Sequence, residues 1–191
     1  MNARSALAFV LGMAAASLLY SASIPARAAD MSATDKLLAI EEIKQLKARY
    51  FRYVDTKDWE GYKSVFTPDI SFKWEETGET RRGPEGKLQL VRDTGLYDRM
   101  KSVHHGFTPE IEILSPTTAK GIWAMEDILT YPAGLEPKSK TEYLKPGESM
   151  HGYGHYYETY RKVDDKWLIA SQDLKRLRVD KQSETIFSAT R

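Results

Sequence analysis

DKLLAIEEIKQLKARYFRYV, residues 35–54, places Leu37, Ile40, Ile43, Leu46, Tyr50 and Tyr53 or Val54 at three- and four-residue steps, with Lys, Glu and Arg between them. That period predicts a long amphipathic helix, capped at its start by Thr34 or Asp35. Working outward, KDWEGYKSVF (57–66) predicts a second, shorter helix. Trp59, Tyr62 and Phe66 lie on one side of it and Pro68 marks its end. ISFKWEE (70–76) alternates as a strand. Thr77-Gly78 turns the chain, and RRGPEG leads into a third helix around 84–97.

The remainder reads as sheet. SVHHGFTPEIEIL (102–114) is one strand, bent at Gly106 or Pro109. AKGIWAMEDILTYP (119–132) is the next, after a turn at SPTT. Residues 133–149 are rich in Pro, Gly, Lys and Glu and read as a mobile loop. HGYGHYYETYRKV (151–163) and KWLIASQDLKRLRV (166–179) form a hairpin about Asp164-Asp165, and the tail beyond Val179 is polar and loosely ordered. Helices first and antiparallel strands last predict an α+β domain, with the long helix across the concave face of a curved sheet and a ligand pocket between them.

The first 28 residues stand apart. Arg4 is followed by an uncharged apolar run, Ala6 to Tyr20, and by Ala26-Arg27-Ala28. The run is shorter than the ~20 residues of a spanning helix, so it reads as a cleaved secretory signal rather than an anchor. This predicts a periplasmic or secreted protein, free of the membrane once cut: signal 1–28, domain 29–180, polar tail 181–191. Removing Arg4 and Arg27 with the signal leaves 26 basic against 27 acidic side chains. Such balance does not steer the chain toward nucleic acid. With no cysteine, disulfides and thiol chemistry are excluded. Eleven Tyr, six Phe and four Trp supply rings for an apolar pocket or for plain core packing.

Several residues could carry chemistry. On residues 119–131, Asp127 shares a face with Trp123, Met125 and Leu129; it is costly to bury there without a partner, unless it lies at a wet edge. Tyr50 falls on the helix's apolar stripe, as an ordinary core tyrosine also would. Asp55 follows the last turn, where it can equally face water. His104 and His105 are adjacent, so in a strand they face opposite ways, and alternation does not say which is inward. A histidine beside a carboxylate suits proton transfer near neutral pH. His151 and His155 have helical metal-pair spacing, but their glycine and tyrosine flanks argue for strand or loop, so no metal is expected. No GxGxxG, phosphate loop or GxSxG is present, and no nucleotide cofactor is expected. In KRLR (175–178) one arginine can face a pocket, or all can be solvated.

Across about residues 38–178 the chain resembles the SnoaL-like family of the nuclear transport factor-like, or cystatin-like cone, superfamily. The resemblance rests on IEEIKQLKARYFRYVDTKDWEGYKSVFTPDI, SVHHGFTPEIEILSPTTAKGIWAMED and YYETYRKVDDKWLIASQ. It implies a cone-shaped, curved, mixed or antiparallel sheet wrapped around the N-terminal helix, with two further short helices. Within the family the closest resemblance is to the bile acid 7α-dehydratases. Their YFRxxD helix segment falls on Tyr50 to Asp55, their SxHxGxTPE strand on Ser102 to Glu110, with the catalytic histidine at His104. Their strand aspartate falls on Asp127 and a late arginine on Arg176. The chain departs from them with Phe107 in place of a second histidine and a longer loop at 133–149.

The resemblance implies cofactor-independent dehydration, or ring isomerisation with the same base, of a small hydrophobic ring or steroid-like hydroxy-carbonyl compound; a non-catalytic binder remains the alternative. In these roles His104 is the base, Asp55 holds it, and Tyr50 stabilises an enolate oxygen. Asp127 orients the base or assists the leaving hydroxyl. Arg176 binds a polar end of the substrate, and Phe51, Trp123 and Tyr157 line the cavity. A homo-dimer or trimer is also implied.

Overall fold

The computed structural model describes residues 31–74, 78–138 and 142–183. The expected signal over 1–28 lies outside these residues, as does the tail from 184. Helix α1 runs Ala33–Thr56. Its cap is Ser32 rather than Thr34 or Asp35: the Ser32 hydroxyl accepts from the Asp35 N–H and donates to the Asp35 carboxylate. Lys57, at φ 62°, ends the helix in the left-handed conformation. The buried stripe is Ala39, Ile43, Leu46, Lys47, Tyr50, Phe51 and Val54. The expected stripe is corrected at its start, where Leu37 is exposed. Each fully buried aliphatic side chain in the stripe contributes about 1.5–3 kcal/mol.

The second helix, α2, covers only Trp59–Ser64, capped by Asp58. The expected end at Pro68 is corrected: strand β1, Phe66–Trp74, already contains both Phe66 and Pro68. Proline fits because its pairing with the last strand changes register between Phe66 and Ser71, where a missing N–H costs least. A short strand, β2 (Thr80–Arg82), precedes helix α3 (Gly83–Asp93), which carries Pro84 in its first turn. This helix stops short of the expected residue 97, at a turn whose Gly95 has φ 81°.

Strands β3 (Lys101–Ser115), β4 (Thr118–Thr130), β5 (Ser149–Val163) and β6 (Lys166–Gln182) complete one sheet, in the order β2-β1-β6-β5-β4-β3. The β1–β6 pair is parallel and the other pairs are antiparallel, so the sheet is mixed. The β5–β6 hairpin turns at Asp164 and Asp165, both at positive φ (47° and 60°), as a two-residue primed turn requires. The expected bend in β3 is a register shift between Phe107 and Glu110, with Thr108 at φ 33°. The tail does not loosen at Val179, because β6 continues paired with β5 to Gln182.

Helix α1 lies on the inner face of this sheet and α3 covers the β1 end. The inner face of β4 is the one that reads Ala119, Gly121, Trp123, Met125, Asp127 and Leu129, all buried. Among the described residues no helix is long and apolar enough to cross a membrane.

Candidate active site

Asp55 sits in the last turn of α1, facing the start of β3. Alternation along β3 turns Ser102 and His104 toward it and His105 away. His104 Nδ1 lies 2.6 Å from Asp55 Oδ1, and the His104 backbone N–H donates to Asp55 Oδ2 at 2.8 Å. Ser102 Oγ donates to Asp55 Oδ1 at 2.8 Å and accepts from Lys57 Nζ at 2.9 Å. Burial, partly opposed by Asp55, pulls the Lys57 ammonium down to about 8. The carboxylate is thus fixed by three donors. With Nδ1–H donating to Asp55, the lone pair of the ring is on Nε2. Among the described residues none bonds Nε2. The His104 side chain is only 6% exposed.

His104 belongs to the wall of a cavity between α1, α3 and the sheet, together with Tyr50, Tyr62, Lys87, Asp127, Tyr156 and Arg176. Leu90, Val91, Leu96, Met100, Leu129 and Leu174 supply its apolar wall. The free cavity is small, about 40 Å³. A bulky ring therefore enters by displacing wall groups. Leu96 and Tyr143 are on loops, and the Tyr143 N–H donates to the Thr94 carbonyl at 3.1 Å.

Asp127 stands directly across the β3–β4 ladder from His104. Both its oxygens accept from Arg176, at 2.8 and 2.7 Å, in a fork with side chains 4% and 10% exposed. Gly152 makes room for the pair, since a Cβ there would fall 2.3 Å from Asp127 Oδ1 and 2.5 Å from the Arg176 guanidinium. The two residues named separately in the sequence are one buried ion pair in the fold.

Tyr50 donates a long hydrogen bond, 3.3 Å, to Gln172 Oε1. Burial, and secondarily the Glu158 charge, push its phenol above the usual range, so it stays a neutral donor. Behind it lies a network the sequence did not reveal. Glu158 Oε1 accepts from Lys47 Nζ and from Gln172 Nε2, each at 2.5 Å, and Glu158 Oε2 accepts from the Tyr160 hydroxyl at 2.5 Å. Lys47 Nζ also lies 3.9 Å from the Tyr156 ring centre and 4.3 Å from that of Tyr50. Lys87 Nζ donates to Gln172 Oε1 at 2.5 Å.

Tyr50, His104, Asp127 and Arg176 are therefore brought together, with Asp55 behind the histidine. The aromatic expectations are corrected. Tyr157 is 39% exposed on the outer face, under Lys175 Nζ at 4.7 Å, because alternation along β5 turns Tyr156 inward instead. Phe51 and Trp123 are buried but stand outside the cavity wall. Phe51 lies nearly parallel to the His104 ring, 16° apart, and packs with Trp123 over Gly106, while the indole N–H donates to Tyr160 at 2.8 Å. Ser102 was legible as the i−2 neighbour of His104, and Lys47 as a member of the 43-46-47-50 stripe. Lys57 and Lys87 had no such signal.

The SnoaL-like domain profile matches residues 35–173. The chain belongs to the SnoaL-like family. A curated relative of this SnoaL-like protein, "Probable cyclase FGR4" of Gibberella zeae, is 28% identical over 143 residues, covering 71% of this chain and 89% of that one. The hexachlorocyclohexane dehydrochlorinase LinA-type3 of Novosphingobium barchaimii superposes with a TM-score of 0.68 at 20% identity, covering 83% of this chain and 100% of that one. A "Putative Scytalone Dehydratase" of Novosphingobium aromaticivorans superposes with a TM-score of 0.66 at 18% identity, covering 83% and 100%. At such identities the two structures show the shared cone fold.

Proposed function

We propose that the protein is a cofactor-independent acid–base lyase that removes water from a hydrophobic ring compound bearing a hydroxyl beside an enolisable carbonyl. The observation that carries this reading is the His104–Asp55 contact of 2.6 Å at the wall of an apolar cavity, with Nε2 left to meet a ligand. His104 takes a proton from the carbon next to the carbonyl. Asp55 holds the tautomer and balances the imidazolium that forms. Tyr50 donates to the oxygen that gains charge. A positioned base of this kind supplies ~10²–10⁴-fold, and one oxyanion donor ~10²–10³-fold. That suffices only for a proton already acidified by a carbonyl. The names of two structures with this fold, a hexachlorocyclohexane dehydrochlorinase and a putative scytalone dehydratase, and of the probable cyclase relative support elimination or ring chemistry as the reaction class.

A ring isomerase working with the same base is the second reading. It is favoured by Arg176 occupying both oxygens of Asp127, which leaves that carboxylate committed rather than aimed at a leaving group. Incubation with a panel of β-hydroxy ring ketones separates the two. Dehydration gives a conjugated enone lighter by one water; isomerisation gives no mass change; a protein that binds the panel without turnover at any pH is a binder and refutes both. We also propose that the chain acts after export, as its N-terminal run suggests, and as a homo-dimer or trimer. Phe107 and Leu177 on exposed strand positions motivate the second point. Cell fractionation and light scattering test them, and a cytoplasmic monomer would contradict both.

A further inference from the structure

Lys87 is the unexplained cation of the cavity. It is 4% exposed, lines the same wall as His104 and Tyr50, and reaches the cavity from α3. Lys47, its neighbour in the network, has Glu158 in contact. Among the described residues no carboxylate is in contact with Lys87 Nζ, which spends one hydrogen bond on Gln172 Oε1 and faces the Phe72 ring at 4.6 Å. An ammonium has three donors, and a buried one without a counter-charge is costly to keep. Tyr50 aims its hydroxyl at the same Gln172 oxygen, at a looser 3.3 Å. A phenol and an ammonium from two helices therefore share one carbonyl-type acceptor behind the wall, and both side chains line the cavity.

We propose that Lys87 and Tyr50 together receive the substrate's carbonyl oxygen, and that Lys87 is the group that meets its negative charge. This rests on the base role of His104 proposed above and adds to it the polar end of the substrate. In the reaction, the C–H electron pair freed by His104 forms a carbon–carbon double bond, and the carbonyl pair moves onto the oxygen held by Lys87 and Tyr50. When the enolate collapses, the bond to the neighbouring hydroxyl breaks. The departing hydroxide takes the proton back from the His104 imidazolium and leaves as water, so base and charge are restored. The charged and titratable groups around Lys87 are Lys47 and Tyr50 from α1, Tyr62 from α2, Glu158 and Tyr156 from β5 and Asp173 from β6. Burial, with Lys47 adding, pulls the Lys87 ammonium down to about 7, against Glu158 and Asp173. An oxyanion in contact would hold it charged.

The probe is 4-nitrophenol, whose ionised form absorbs separately from its neutral form. It is bound to the full chain at a pH where the free phenol is still mostly protonated. The expected result is a phenolate spectrum with wild type and with His104→Ala. Lys87→Met and Lys87→Gln should lose roughly tenfold to hundredfold in phenolate affinity, the worth of one charge-assisted hydrogen bond. Melting temperature confirms folding, which the methionine variant should keep because apolar replacement of a buried charge is commonly neutral. A phenolate spectrum unchanged in both Lys87 variants overturns the proposal. So does a wild-type complex holding only neutral phenol. Loss of the spectrum in His104→Ala alone places the oxyanion at the histidine and overturns it too. Full turnover by His104→Ala would sink the base role and leave the Lys87 site standing.

Discussion

His104 and His105 are neighbours in one strand, and each holds a carboxylate through Nδ1. The distances are similar, 2.6 Å to Asp55 and 2.8 Å to Glu126. Their surroundings are opposite. The His104 side chain is 6% exposed at the cavity wall, whereas that of His105 is 48% exposed on the outer face. Glu126 also meets His151 Nε2 at 2.9 Å, and the other nitrogen of His151 meets the Tyr153 hydroxyl at 3.0 Å. The outer cluster ties β3, β4 and β5 together in water, where screening leaves such pairs little energy. The inner pair works where the dielectric is low and a ligand can reach it. Two histidines one residue apart, each paired with a carboxylate, are thus given different work by the period-two alternation of a strand.

The comparison can be broken most severely at the inner pair. His104→Ala should lose ~10²–10⁴-fold in kcat while melting near wild type, read from turnover and calorimetry. Asp55→Asn keeps the size and removes the charge that balances the imidazolium; a loss of roughly 10–100-fold in kcat is expected, with little change in ligand affinity. At the outer cluster the effect moves from rate to stability. Hydrogen bonds from His105 and then His151 hold the Glu126 carboxyl below its ordinary value of 4.5. A depressed carboxyl stabilises the fold above its unfolded value and loses that contribution as pH falls through its folded value. Wild type should therefore unfold at slightly higher urea than Glu126→Gln at pH 6, with the gap closing below the carboxylate range. The smallest effect belongs to His105→Ala, which should leave turnover within about twofold, as a solvated residue remote from the reacting atoms should.

The long helix and the four long strands were legible because their periods are strong and their turns, such as Asp164-Asp165, have specific chemistry. Element edges were less so. Ser32 outcompeted Thr34 and Asp35 as the cap, and Pro68 sat inside a strand because the ladder is irregular there. At the site, the resemblance placed His104, Asp55, Asp127 and Arg176, but residue pattern alone left His104 and His105 equivalent. Pairing across strands was not legible: nothing in the sequence joins Asp127 to Arg176, or Lys47 to Glu158, 111 residues apart. Tyr156 and Tyr157 stand side by side in β5, and which of them faces inward is a property of the assembled sheet rather than of the local sequence.

The most direct test follows hydrogen–deuterium exchange in heavy water at the carbon next to the carbonyl of a fused-ring ketone that lacks the leaving hydroxyl. Exchange isolates proton abstraction from every later step. Wild type and His105→Ala should catalyse it at similar rates, and His104→Ala should fall to the uncatalysed rate. Exchange by His104→Ala at the wild-type rate would contradict the assignment of the inner histidine as the base.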